Sequence, residues 1–271
     1  MLFSDRQAMA MDVMPETVRI PAGEFVMGAD AGDEDERPAH RVYLDEFQLG
    51  VHPVTNSEYA RFVQAAGHRP PAVYDLPVVV TAGGRDRDRA FRQLAAAYAW
   101  SDTEPPAGLA DRPVALVSFT DAQAYCAWLA SETGQPVRLP TEAEWEKAAR
   151  GGLDGRRFPW GDEIDPSLAN YLPDPSLKAM HGSQPVLACP PNAYGLFGMA
   201  GNLWQWVADW YDPMYYAASP ESNPRGPASG RFRLIRGGAW LCADTRMLSC
   251  SHRHKVPADT YSYSIGFRVA I

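Results

Sequence analysis

Residues 192–210 read NAYGLFGMAGNLWQWVADW, and the parsing of this stretch decides the fold. Gly195, Gly198 and Gly201 interrupt it too often for a helix, because an interior glycine costs about 1 kcal/mol there relative to alanine. Leu203, Trp204, Gln205 and Trp206 then alternate at strand period. The segment reads as short strands and tight loops.

Upstream the periodicity is helical. In RLPTEAEWEKAARGG (138–152), Thr141 and Glu144 form a capping box, Trp145, Ala148 and Ala149 form a buried stripe, and Gly151-Gly152 stops the helix. Glu142, Glu144 and Glu146 read as capping and solvated-face carboxylates. Val114–Val117 reads as a short strand. Ser118 or Thr120 then caps a helix bearing Ala122, Tyr125, Cys126 and Leu129, closed at Gly134. A further helix opens on Thr55 and Glu58, carries Tyr59, Phe62, Val63 and Ala66, and ends at Gly67.

Before it, Val18–Met27 reads as a strand broken at Pro21-Ala22-Gly23. Arg41–Leu49 reads as one strand with a one-residue slip, and Asp30–Arg37 between them as an acidic loop. Strands, then helices, then irregular β give an α+β class, loop-rich and low in regular secondary structure. Residues 1–17 read as an extension and 18–271 as a single domain. An insertion lies near 68–112, and its charge-alternating GGRDRDRA run reads as a solvated loop.

Downstream, residues 233–271 hold Cys242, Cys250, His252 and His254, the densest set of metal-binding or nucleophilic groups in the chain. Cys250, His252 and His254 lie two apart, so on a strand they share one face. With Cys242 they would make a Cys/His site for copper, zinc or iron. The same spacing also describes any half-buried strand with a core cysteine and ordinary polar histidines.

Net charge is −8 over 271 residues, with no basic run, which argues against nucleic acid and anionic membrane as partners. No apolar run approaches the ~20 residues of a membrane span, and the N-terminus lacks a secretory pattern, so the expectation is a cytoplasmic protein. Four cysteines in such a chain do not make a disulfide scaffold. Cys126 reads as a small buried apolar residue. Composition says nothing of the oligomeric state.

Several segments together resemble one family: RIPAGEFVMG (19–28), HPVTNSEYARFV (52–63), PVALVSFTDAQAYCAWLA (113–130), RLPTEAEWEKAARGG (138–152), FPWGD (158–162), NAYGLFGMAGNLWQWVADW (192–210), RGGAWL (236–241) and IGFRVA (265–270). They occur in the order found in formylglycine-generating enzymes, also called sulfatase-modifying factors. The resemblance implies a C-type-lectin-like α+β fold. It also implies copper- and oxygen-dependent oxidation of a peptidyl cysteine, although the family includes iron-linked oxidases and non-catalytic proteins, so the site must decide.

In that family a serine and two cysteines five apart follow the Gly-Gly pair, and the thiolates hold Cu(I). Here Ala239 replaces the serine and Cys242 stands at the first cysteine. The second position falls on Met247 counting forward, or on Thr245 counting back from Arg253. Neither offers a thiolate, so the oxidase centre is incomplete. Of the family's calcium sites, one has lost its side-chain ligands to Gly198 and Gln205. The other retains Asn170, the Tyr171 carbonyl and Asp174, so calcium is expected at one structural site at most. Trp240, Arg253, Tyr261 and Tyr263 are the candidate substrate-binding residues.

Three readings follow. The chain is a divergent metal- and oxygen-dependent oxidoreductase acting on a thiol, peptide or small precursor, with Cys242 and Cys250 as catalytic candidates. Otherwise it is a non-catalytic ligand-binding or scaffold protein. The third is a true formylglycine generator with an altered copper site.

Overall fold

Residues 17–50 build two antiparallel pairs in this computed structural model, which describes residues 13–74, 85–174 and 182–271. Strand β1 (Thr17–Ile20) and β2 (Gly23–Met27) are separated by Pro21-Ala22, as the sequence predicts. The expected single strand over 41–49 is instead β3 (His40–Leu44) and β4 (Phe47–Gly50). β3 pairs with β2 and β4 pairs with β1. The one-residue slip is the corner between them. Breaking there keeps Val42 and Leu44 buried in one strand and Phe47 and Leu49 buried in the next.

The capping boxes sit where the sequence puts them. Helix α1 (Asn56–Ala66) starts on Thr55 with Glu58, and Gly67 closes it in the left-handed region. Two later helices repeat the design. One, Phe119–Thr133, starts on Ser118 with Asp121, and the other, Glu142–Arg150, starts on Thr141 with Glu144. Each box satisfies two backbone or side-chain donors that a helix start would otherwise leave unpaired.

Two expectations fail between them. The charge-alternating run extends into a helix, α2 (Arg85–Ala95). Phe91 and Ala95 lie one turn apart and are both buried, while Asp88 and Arg92 form an i,i+4 pair. That apolar contact fixes the helix despite its charge. Residues 114–117 form no strand: Val114 bonds to the Val54 carbonyl, Leu116 bonds to the Ser262 carbonyl, and Leu116 has φ 60°. The twist at Leu116 ends any ladder. With the ranges above, Phe119–Thr133 is α3 and Glu142–Arg150 is α4.

The main sheet has four strands in the order β7 (His254–Val256), β6 (Arg233–Arg236), β5 (Trp204–Trp210) and β8 (Ile265–Phe267). β5 and β8 run parallel, and the other pairs are antiparallel. Trp206, fully buried at the centre of β5, donates its indole N–H to the Val117 carbonyl. α1 and α3 pack over this sheet, with Tyr59 and Tyr125 stacked at 5.7 Å.

A further departure is α4, whose nine residues are all buried, charges included. Glu142 and Glu146 are not on a solvated face. Arg236 of β6 bonds Glu142 at 2.9 Å and Glu146 at 2.7 Å, Arg253 holds Glu142 at 2.8 Å, and Arg150 holds Glu146 at 2.7 Å. This ionic layer ties α4 to β6 and to the segment carrying His252. No helix among the described residues is long and apolar enough to cross a membrane.

Candidate functional site

β6 delivers the chain into Gly237-Gly238, with φ of 93° and 76°. A side chain at Gly237 would meet the Trp145 ring at 3.0 Å, and one at Gly238 would meet the Met247 carbonyl at 2.9 Å. Glycine is therefore required for the turn that places Trp240 and Cys242. The Cys242 sulfur accepts the Ala239 N–H at 3.3 Å and a contact from the Trp204 indole. Cys242 is 3% exposed and packs in the same apolar cluster as Ile235, Leu248 and Val256. Burial pushes the thiol up to about 11, against the weaker pull of those donors.

Cys250 lies in a different apolar cluster, with Ile20, Phe25 and Leu234. Burial pushes its thiol up to about 12. The shared-face expectation holds only in part, because the strand begins at His254 and Cys250 precedes it in a turn. The two imidazoles do stack, with centroids 6.2 Å apart. His254 also stacks on Trp204 at 4.9 Å. Burial first, and the neighbouring His252 second, pull the His254 imidazole down to about 4. Cys242, Cys250, His252 and His254 do not converge. Among the described residues, the one group of acidic, histidine or cysteine side chains with three ligand atoms within 4.8 Å contains neither cysteine and not His254.

The substrate-binding candidates separate likewise. Arg253 is consumed by the ionic layer: it is 4% exposed and doubly bonded to Glu142. Trp240, Tyr261 and Tyr263 do assemble, but with Phe91 and Tyr98 in an aromatic cluster under α2. Trp240 and Tyr261 are buried there rather than lining an open groove.

At the positions of the lost calcium ligands a guanidinium collects the oxygens. Arg268 Nε donates to Gln205 Oε1 at 2.7 Å, and its other nitrogens donate to the Gly50 and Phe197 carbonyls at 2.9 and 2.7 Å. At the other expected calcium site, the Asn170 amide donates to the Gly182 carbonyl and to Asn202. Tyr171 is largely buried there, and Asp174 is already engaged by a neighbour. The Asn170 backbone carbonyl accepts from Asn202 N–H, which ties this segment to Gly201-Asn202 rather than leaving it as a cation cage.

The group that does converge is Asp33, Glu36 and His252. The sequence shows it only as an acidic loop and a distant histidine. Glu36 is 3% exposed and its Oε2 accepts the Ser251 hydroxyl at 2.6 Å. His252 Nδ1 stands 3.5 Å from Glu36 Oε1 and 3.9 Å from Asp33 Oδ2, outside hydrogen-bonding alignment. Burial raises the Glu36 carboxyl, but the His252 and Ser251 contacts together bring it below its usual value. Asp33 and Glu36 open onto a cavity of about 460 Å³ walled by Arg156, Arg157 and Arg246. A larger cavity of about 550 Å³, bounded by Phe47, Cys126, Arg138 and Arg225, contains none of the expected site residues.

Comparison with known proteins places this arrangement in context. The Sulfatase-modifying factor enzyme 1-like domain matches residues 3–271. A formylglycine-generating enzyme of Streptomyces coelicolor is 37% identical over 295 residues, covering 93% of this chain and 88% of its own length. A serine/threonine-protein kinase pkn1 of Chlamydia pneumoniae is 38% identical over 261 residues, covering 95% of this chain, which spans only 38% of that protein. Among solved structures, PvdO from Pseudomonas aeruginosa aligns with a TM-score of 0.72 at 27% identity, covering 96% of this chain and 95% of its own.

Proposed function

Because this chain belongs to the sulfatase-modifying factor, or formylglycine-generating enzyme, family and yet keeps a lone thiol at the family's paired-cysteine centre, we propose that it is a ligand-binding member that does not oxidise thiols. The sealed Cys242 carries this reading: the residue is 3% exposed and burial pushes its thiol up to about 11. Burial disfavours the thiolate that nucleophilic attack needs, and the packed side chain offers no open face to a substrate. Two sulfurs sharing one ion would also stand only about 4.6 Å apart, given metal–sulfur bonds near ~2.3 Å. Cys250 is packed in a separate cluster. The residues present do not fit a bis-thiolate copper.

The ligand is a small molecule or peptide carrying an acidic group. The 460 Å³ cavity supports this, being within the usual size of small-molecule sites. Arg157 supports it further: among the described residues its guanidinium has no carboxylate partner and lies over the Phe158 ring at 5.0 Å. A free planar guanidinium suits carboxylate recognition.

The test has two arms. In calorimetry, acidic peptides and small carboxylates bind more tightly than their amides, and Arg157→Ala weakens them about tenfold, or ~1.4 kcal/mol. In an oxygen electrode with cysteine peptides and supplied copper or iron, uptake stays at the blank. Oxygen consumption that Cys242→Ala abolishes overturns the reading and restores the oxidoreductase one.

A further inference from the structure

We infer that Asp33, Glu36 and His252 form a divalent transition-metal site beside the 460 Å³ cavity. This goes beyond the ligand-binding reading and does not depend on it. The site uses neither thiol.

The spacing fits first. Donors bound at ~2.0–2.2 Å to a tetrahedral ion stand roughly 3.4 Å from one another. His252 Nδ1 lies 3.5 Å from Glu36 Oε1 and 3.9 Å from Asp33 Oδ2, and all three ligand atoms lie within 4.8 Å. The two distances from His252 need a contraction of no more than about half an ångström. Asp33 is the residue that can move, since its side chain is 48% exposed.

Chemical need is the second argument. Both His252 ring nitrogens are shielded from solvent and neither makes a hydrogen bond. Buried polar atoms without partners are uncommon in native proteins and call for an explanation. The 3.5 Å contact to Glu36 is not aligned as a hydrogen bond. An ion between the three side chains gives Nδ1 the partner it lacks.

The supporting contacts are those a metal site requires. Ser251 holds Glu36 Oε2 and leaves Oε1 turned towards His252. Arg253 anchors the Asp35 carbonyl between the two carboxylates, and the short 3-10 turn Glu34–Glu36 brings Asp33 and Glu36 together. Such contacts orient ligands and raise affinity. Arg246 competes for Asp33 at 3.5 Å, but its closer partner is Asp244 at 2.6 Å. Two carboxylates and one neutral imidazole neutralise a divalent ion. That N/O set suits zinc, manganese or iron(II) rather than Cu(I), and three protein ligands leave a position open on the cavity side.

The experiment is a Co(II) titration of the full chain after chelator treatment, followed by visible absorption and by displacement with zinc. The expected result is saturable uptake of about one equivalent with a ligand-field band, as for a specific N/O site. His252→Gln removes the band, Asp33→Asn weakens uptake at least tenfold, and Cys242→Ala behaves as wild type. Asp33 is half exposed, so its variant keeps the fold and decides the matter even if His252→Gln does not. No saturable uptake up to millimolar Co(II), or uptake indifferent to Asp33→Asn, overturns the proposal. Carboxylate binding by chelator-treated protein is measured alongside, so the ligand-binding reading stands or falls separately.

Discussion

The Trp204 indole and the His254 imidazole stack with centroids 4.9 Å apart and planes 25° from parallel. The same indole contacts the Cys242 sulfur. Trp204 thus touches both the buried thiol and the two histidines.

His254 gives the first prediction. Its folded pKa is lowered to about 4 from an ordinary value near 6.5, chiefly by burial. Between those values the unfolded chain binds a proton that the folded one refuses. Stability is therefore present above pH ~6.5 and falls as pH drops towards 4, by up to ~3 kcal/mol for this group. Asp209 works the other way, since burial and Glu142 raise its carboxyl to about 8. Urea unfolding of wild type against His254→Phe isolates the histidine: the difference in pH slope lies between 4 and 6.5, with the variant flatter.

Thiol reactivity gives the second. Cys126, Cys242 and Cys250 are buried, and Cys189 is half-buried. Burial raises the Cys126 thiol to about 12, as it does Cys250. Mass spectrometry after alkylation of native protein should find label on Cys189 first, with the other three protected until the protein unfolds.

Loss of either carboxylate in the ionic layer should be severe. Glu146→Ala leaves Arg236 and Arg150 without one of their acidic partners in a site that is fully buried. We expect a loss of about 3–5 kcal/mol in denaturant unfolding. A surface pair such as Arg19–Glu46 should contribute under ~1 kcal/mol.

Arg268 is buried with no carboxylate among its hydrogen-bond partners. Burial pulls its guanidinium down to about 9, so it stays charged at neutral pH. Arg268→Lys presents one ammonium where a planar fork spans Gly50, Phe197 and Gln205. The expected loss is about 2–4 kcal/mol in thermal or denaturant unfolding, because the carbonyls left behind are buried.

What the sequence discloses depends on range. The helix starts are legible because Thr55 with Glu58 and Thr141 with Glu144 are three apart. The Gly237-Gly238 turn and its family resemblance are also legible. The burial of Glu142 and Glu146 is not, because Arg236 lies 94 and 90 residues away. Helix α2 is hidden by its alternating charges, and only Phe91 and Ala95 reveal its buried face. Asp33 and Glu36 look like an acidic loop, since the Ser251 that orients Glu36 is 215 residues on. Spacing of two joins Cys250, His252 and His254 on paper, but the turn before β7 sends the cysteine into a separate core.

Copper affinity is the sharpest probe of whether the thiol centre has been dismantled. Cu(I) binding is measured under anaerobic competition with a chromophoric chelator, for wild type and for Cys242→Ala. The two proteins should bind alike and without a stoichiometric high-affinity site. One tightly held Cu(I) per wild-type chain, lost in Cys242→Ala, would contradict the account.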